Sequence, residues 1–371
     1  MRLSRFLAAI LTLVPASLGC SSSTGDTFTN PTDAGSDGAE DAVSEETEDA
    51  PEEAALDAYP DVDTDVVDLD GAVGGGELVR RAYAGLEGTR EYLLYIPAGY
   101  DGTPLPLVVA MHGCSQSATH FAYVTAYNQL ADTKKFLVLW PEQAMVFNAS
   151  LCWNWFLPGH QKRDVGEAAI LAAMVKEVKG SHGVDPNRVH AVGVSAGAAM
   201  AVVLGAVFPD VFASIGSVEG CPFQGTPCVG SPSIMPPSTL ATYVVDAMGV
   251  HARPVPLFAI QGSLDMNVLP ANGDLLVKQW VLAADAVDDG ITNGSVPSSP
   301  HHTNDGAAPG GHSYATDVYV DGAGEVLIEY WKVSGLGHAW PGGAPAIAYS
   351  DPKGPSATEE SYRFFEAHPL P

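Results

Sequence analysis

Basic residues are scarce in this 371-residue chain, with 17 lysines and arginines against 44 aspartates and glutamates and a formal net charge of −27. A chain so short of cations cannot neutralise a row of phosphates, so no nucleic-acid partner is expected. Past the N-terminus no apolar run approaches the roughly 20 residues that a membrane-spanning helix needs. Only five cysteines occur. None has Cys-x-x-Cys spacing and no two histidines stand four apart, so no zinc site or other metal is expected. No internal repeat is evident.

The charge deficit is uneven. Residues 21–76 hold 17 acids and no Lys or Arg, whereas from Glu77 onward 15 basic residues face 27 acidic ones, a net −12. The first segment has few large apolar groups and cannot bury enough surface to offset its ordering entropy, so residues 20–76 are expected to form a disordered acidic tether. Calcium capture by Asp61-Val62-Asp63-Thr64-Asp65 lacks the glycine and distal glutamate of an EF-hand loop. Ahead of it, Arg2 and Arg5 precede the apolar stretch Phe6 to Val14 and then Ser17-Leu18-Gly19-Cys20. That stretch is too short to span a bilayer and reads as a signal peptide over residues 1–19. Cys20 directly after Gly19 resembles a bacterial lipoprotein cleavage site, although such sites usually carry Leu where Ser17 stands. Acylation at Cys20 would anchor an exported protein to a membrane; an ordinary signal peptidase would cut at the same bond.

What the chain does have is Gly193-Val194-Ser195-Ala196-Gly197 between an apolar strand, Val189 to Val194, and an alanine-rich helix stopped before Pro209. A Gly-x-Ser-x-Gly at such a junction forces a sharp turn that lifts the serine hydroxyl above the sheet edge. The pentapeptide alone is weak, and a turn serine is its plain alternative. Its weight comes from what surrounds it. The strand Leu107–Met111 ends in His112-Gly113-Cys114-Ser115-Gln116, a loop able to offer a backbone N–H. Val255–Ile260 ends in Gln261-Gly262-Ser263-Leu264-Asp265, and Val326–Val333 leads to Ser334-Gly335-Leu336-Gly337-His338-Ala339-Trp340. Ser, then Asp, then His, each after a strand's carboxyl end, is the order of an α/β-hydrolase. Asp285, Asp288 and Asp289 also lie between the serine and the histidine, but at a helix end. His301, His302 and His312 fall in a polar stretch expected to face solvent.

His112-Gly113-Cys114, Cys152-Trp153-Asn154-Trp155-Phe156, Gly193 to Gly197 and Gly335 to Trp340 together resemble the polyhydroxybutyrate-depolymerase-type esterases, with their feruloyl and acetylxylan esterase relatives. The resemblance covers Glu77 to the C-terminus. It implies Ser195 as nucleophile, Asp265 as orienter, His338 as base, and the N–H groups of Cys114 and Ala196 as oxyanion donors. It also brings Trp153 and Trp155 near the site, with Trp155 a candidate substrate contact; the plain alternative is that both, like Trp340, are core. One departure is visible: relatives usually carry His-Gly-Asp where this chain has Gln261-Gly262-Ser263. Polymer-degrading members commonly add a C-terminal binding module, and this chain ends at Pro371, which tilts the expected substrate toward soluble oligomers or plant cell-wall esters.

With Cys20 set aside, Cys114, Cys152, Cys221 and Cys228 form an even set, suited to an oxidising compartment. Three pairings are open; Cys114–Cys152 and Cys221–Cys228 are favoured, and small buried thiols are the alternative. The domain over residues 77–371 is long enough for one full core. Strands at Glu91–Ile96, Leu107–Met111, Phe136–Trp140, Val189–Val194, Ala213–Ser217 and Val255–Gln261 alternate with helices, which predicts an α/β-hydrolase with a mostly parallel sheet covered on both faces. Asp164 with Glu167 is expected to cap a helix over Val165–Lys179, and Ser356 with Glu359 a last helix. Thr316–Val320 and Val326–Val333 read as a hairpin. Pro222–Pro254 and Asp288–Gly311 give no clear pattern and are expected to be loops. The function expected is a cofactor-free exported hydrolase of carboxylic esters. An acyltransferase using the same residues and a non-catalytic surface-binding lipoprotein are the alternatives.

Overall fold

The computed structural model describes residues 74–371. The expected signal peptide, Cys20, and nearly all of the acidic tether, Asp61–Asp65 included, lie outside the described residues.

Ten strands form one sheet: β1 (Glu77–Gly85), β2 (Gly88–Ile96), β3 (Leu105–Met111), β4 (Leu137–Pro141), β5 (Val184–Val194), β6 (Ser214–Val218), β7 (Leu257–Gly262), β8 (His302–Ala307), β9 (Ser313–Val320) and β10 (Val326–Val333). Their order is β1-β2-β4-β3-β5-β6-β7-β10-β9-β8. The run from β4 to β10 is parallel, and antiparallel strands extend both edges. The helices are α1 (Ala118–Thr125), α2 (Tyr127–Lys134), α3 (Gly166–Ser181), α4 (Ala196–Val207), α5 (Pro237–Met248), α6 (Pro270–Asp288) and α7 (Ala357–Ala367).

The apolar runs of the central strands have a simple cause. Successive side chains point to opposite faces, so a strand covered by helices on both sides must be apolar throughout. Leu107, Val109 and Met111 of β3 join Leu137 and Leu139 of β4 in a core against α3, α4, α5 and α6. Val108 and Ala110, with Val138 and Trp140, join a second core against α1, α2 and α7. The tryptophans buried there keep their N–H groups bonded, Trp140 Nε1 to Asn128 Oδ1 at 3.1 Å and Trp340 Nε1 to Thr358 Oγ1 at 3.1 Å.

Three local expectations change. Asp164 and Glu167 do not form a capping box, because position 165 heads α3 without a side-chain cap. The Glu167 carboxylate is turned inward to the buried Arg90 guanidinium, 3.0 Å away, and cannot reach back. Pro222–Pro254 contains α5, and Asp288–Gly311 contains β8, an exposed edge strand whose polar sequence hides its pairing with β9. Glu77–Gly85, given no element from the sequence, is β1, which alternates little because it too is an edge. The Ser356 cap holds, with its hydroxyl accepting from the Glu359 N–H at 3.2 Å.

Candidate active site

Every parallel strand ends at the same edge, so the loops after β3, β5, β6, β7 and β10 meet there. Ser195 sits between β5 and α4 at φ 56°, ψ −120°. For a residue with a side chain this backbone costs about 1–3 kcal/mol, and it persists only where the surroundings enforce it. Two glycines supply the enforcement. A Cβ on Gly193 would stand 2.3 Å from the Gly197 carbonyl carbon, and one on Gly197 would stand 2.1 Å from the Met111 carbonyl oxygen. Strand and helix therefore approach as closely as backbone allows, and the Ser195 N–H donates to Val218 O at the end of β6.

The loop after β3 lies over this serine: a Cβ on Gly113 would touch Ser195 Cβ at 3.4 Å. Side chains hold it rigidly. The Gln116 Oε1 accepts from the Gly113 N–H at 2.7 Å, and the Trp153 Nε1 donates to His112 O at 3.1 Å. His112 is fully buried, and burial pushes it down to about 4, so the ring is neutral. Its Nε2 accepts from the Gln143 N–H at 3.1 Å, which leaves the proton on Nδ1 to donate to Gly113 O at 2.7 Å. Cys114 is disulfide-bonded to Cys152, which joins this loop to the Trp-rich segment, and Cys221 is bonded to Cys228. The amide of Ala196 is the first of α4 and lies next to Ser195 in the chain, at the positive end of the helix dipole.

Asp265 and His338 are brought together. His338 Nδ1 lies 2.8 Å from Asp265 Oδ2. The other Asp265 oxygen accepts from the Asn267 and Val268 N–H groups at 2.8 and 2.9 Å, which fixes the carboxylate. Gln261, the departure noted in the sequence, points its Nε2 at Asp265 Oδ2 at 3.3 Å and at Val268 O at 3.0 Å. The competing acids are employed elsewhere: Asp285 accepts from the Gly294 and Val296 N–H groups, and Asp288 and Asp289 bond Ser295 and Asn293. His301 and His302 are exposed, whereas His312 pairs with Asp351 at 2.9 Å.

Trp155 is 6% exposed and packs into the first core, its carbonyl accepting from Gln161 Nε2 at 2.6 Å. Trp153 and Trp340 are fully buried. Phe156 and Leu157, next to Trp155, are exposed, as are Met145, Val146 and Phe147 in the loop before the Trp-rich segment.

Of two further acids that matter here, Glu167 was expected only as a helix cap and Glu219 was not picked out from the sequence. Glu167, fully buried, accepts from Arg90, Gln143 and Asn154 and so ties the Trp-rich segment to β2. Glu219 directly follows β6, and its Oε2 lies 3.2 Å from His338 Nδ1 and accepts from the Ala339 N–H at 2.7 Å. Its position at a strand's carboxyl end is the signal that could have found it. Burial raises the Glu219 carboxyl well above the ordinary range, and the Asp265 charge adds to this against the pull of His338. Burial alone would lower His338; the hydrogen bonds and charges of Asp265 and Glu219 overcome it and raise the imidazole.

Comparison with known proteins matches residues 90–294 to the family model described as esterase PHB depolymerase. The chain is 32% identical over 262 residues to poly(3-hydroxyalkanoate) depolymerase C of Paucimonas lemoignei, covering 68% of this chain and 59% of that protein. It is 28% identical to poly(3-hydroxybutyrate) depolymerase of Ralstonia pickettii, covering 67% of this chain and 51% of that one. The chain thus spans between half and three-fifths of the length of these two relatives. Among solved structures it is similar to an acetyl xylan esterase from Aspergillus awamori, with TM-score 0.63, 21% identity, and coverage of 79% of this chain and all of that one. That likeness is one of fold, the α/β-hydrolase fold.

Proposed function

Because the chain belongs to the PHB-depolymerase family of esterases, we propose that it hydrolyses carboxylic esters through Ser195, His338 and Asp265. The observation that carries the reading is the Asp265–His338 contact at 2.8 Å, on the edge where the backbone strains to present Ser195. Asp265 holds the proton of His338 on Nδ1 and leaves Nε2 free as base. Ser195 Oγ attacks the ester carbonyl as His338 takes its proton, and the Cys114 and Ala196 N–H groups receive the oxyanion. The alkoxide leaves with that proton. Water, deprotonated by His338, then attacks the acyl-enzyme, and the acid is released as Ser195 regains its hydrogen. No cofactor enters these steps.

The substrate class that fits the relatives is the ester of a 3-hydroxyalkanoic acid, in polymer or oligomer, and acetyl or feruloyl esters of plant polysaccharides are the second reading. The two disulfides suit a protein that works outside the cytoplasm, and acylation at Cys20 would hold it at a membrane surface. Ser195→Ala tests the mechanism: turnover of a nitrophenyl ester should fall about 10⁶-fold with folding intact. A variant keeping a tenth of the activity refutes it. Hydroxybutyrate oligomers, acetylated xylan and methyl ferulate assayed side by side separate the substrate readings. Added glycerol distinguishes hydrolysis from acyl transfer.

A further inference from the structure

The ordinary arrangement of one carboxylate behind one imidazole is not what surrounds His338. Two carboxylates converge on the same ring nitrogen, Asp265 at 2.8 Å from the end of β7 and Glu219 at 3.2 Å from the end of β6. Both acids are fully buried. They are not equivalent. Asp265 has backbone donors on its second oxygen, whereas Glu219 Oε1 is buried with no hydrogen-bond partner. A fully ionised carboxylate pays most for such an oxygen, so Glu219 favours holding a proton for part of the time.

The backbone reaches this arrangement under constraint. Glu219 takes φ +55° although it is not glycine, and its N–H donates to Ile260 O at 2.9 Å, which locks the turn to β7. Gly262 opens the space that the carboxyl occupies, since a Cβ there would stand 2.8 Å from Glu219 Oε1 and 2.5 Å from Leu336 O. Three loops, those after β6, β7 and β10, are thereby stitched together at one carboxyl group.

We propose that Glu219 is a second acid behind His338, a positioning residue that anchors the histidine loop by the Ala339 amide and whose ionisation is coupled to that of the imidazole. The inference rests on the reading of His338 as the base. In one form Glu219 carries a proton and His338 is neutral, with its Nδ1–H on Asp265 and Nε2 free; in the other both acids are ionised and His338 is an imidazolium protonated on Nε2 as well, the exchange between Glu219 and Nε2 running through solvent. The net charge of the three groups is −1 in either form, and only the first can take the Ser195 proton. The groups that act electrostatically on His338 are Asp265 and Glu219, and those acting on Glu219 are His338 and Asp265. Ionised Glu219 therefore withdraws the base from use at neutral pH, and the acid limb of activity lies higher than Asp265 alone would set it.

Glu219→Gln keeps the shape and an acceptor for the Ala339 N–H but removes the second charge. The acid limb of kcat/KM should move to lower pH by about 1 unit, as expected for loss of one neighbouring carboxylate. One unit below the wild-type midpoint, the variant should then hold about fivefold more of its own plateau rate. An NMR titration of the His338 ring in the Ser195→Ala background should show the same downward shift without any turnover. Glu219→Ala, which also removes the acceptor for Ala339, should lower kcat further than the Gln variant does. An acid limb and a ring titration that Glu219→Gln leaves in place overturn the proposal, even if stability falls. If the ring titration moves but wild-type protein cleaves no ester, the esterase reading fails and the coupled ionisation stands.

Discussion

Glu167→Ala is the most severe single change available away from the reacting atoms. The Glu167 carboxylate is fully buried, and its partner Arg90 is 5% exposed, with the guanidinium Nη2 at 3.0 Å. The same carboxylate accepts from Gln143 Nε2 at 2.6 Å, from the Asn154 N–H at 2.6 Å and from Asn154 Nδ2 at 2.8 Å. Burial already pulls Arg90 below the usual guanidinium range, with Glu167 pulling it back. Truncating the acid leaves a buried cation uncompensated, which costs about 3–5 kcal/mol. For the residues from 74 onward, an unfolding entropy of about 2.1 cal/mol/K per residue turns 4 kcal/mol into a Tm loss of about 6 °C. Glu167→Gln should cost about 3 kcal/mol, because its amide sets a donor among donors. Lys134→Met is the control: its ion pair with Glu366 spans 3.4 Å with both side chains nearly half exposed, so the change should stay within about 0.5 kcal/mol. Denaturant unfolding with disulfides intact gives the comparison, and a Glu167→Ala loss below about 1 kcal/mol refutes the reasoning. Activity should fall as well, because Gln143 Nε2 also holds Cys152 O at 2.9 Å.

The disulfides should separate in their effects. Cys152→Ser frees the loop that carries the Cys114 amide, and a misplaced oxyanion donor typically costs about 10²–10³-fold in rate; breaking Cys221–Cys228 should act on thermal stability instead, and equal rate losses from both would contradict this. His190 supplies a pH test of stability. Burial, then the charges of His368, Arg188 and Arg253, push it down to about 3. The unfolded chain therefore binds this proton first, and stability falls as pH drops below about 6.5, by about 2 kcal/mol at pH 5. His190→Gln should shrink the Tm difference between pH 7 and pH 5; an unchanged difference refutes the assignment.

Local pattern in the chain marked the central parallel strands and the loops at their carboxyl ends. Short unbroken apolar runs such as Leu107–Met111, bounded by turn residues and alternating with longer helical patterns, mark strands buried on both faces, and Gly193 and Gly197 fit a junction where strand and helix crowd together. It also ordered Ser195, Asp265 and His338 along the chain, since each follows a strand whose pattern is local. It could not show which acids reach the site. Asp164 and Glu167 have the local spacing of a capping box, yet Arg90, 77 residues from Glu167 in sequence, claims the carboxylate. Glu219 and His338 are 119 residues apart, and nothing in either neighbourhood announces the other. The edge strands β1 and β8 were equally silent, because strands with little buried surface carry little apolar pattern. Local periodicity reports how much of an element is covered. Which long side chain meets which buried charge is settled only when the sheet closes and brings distant strand ends to one edge.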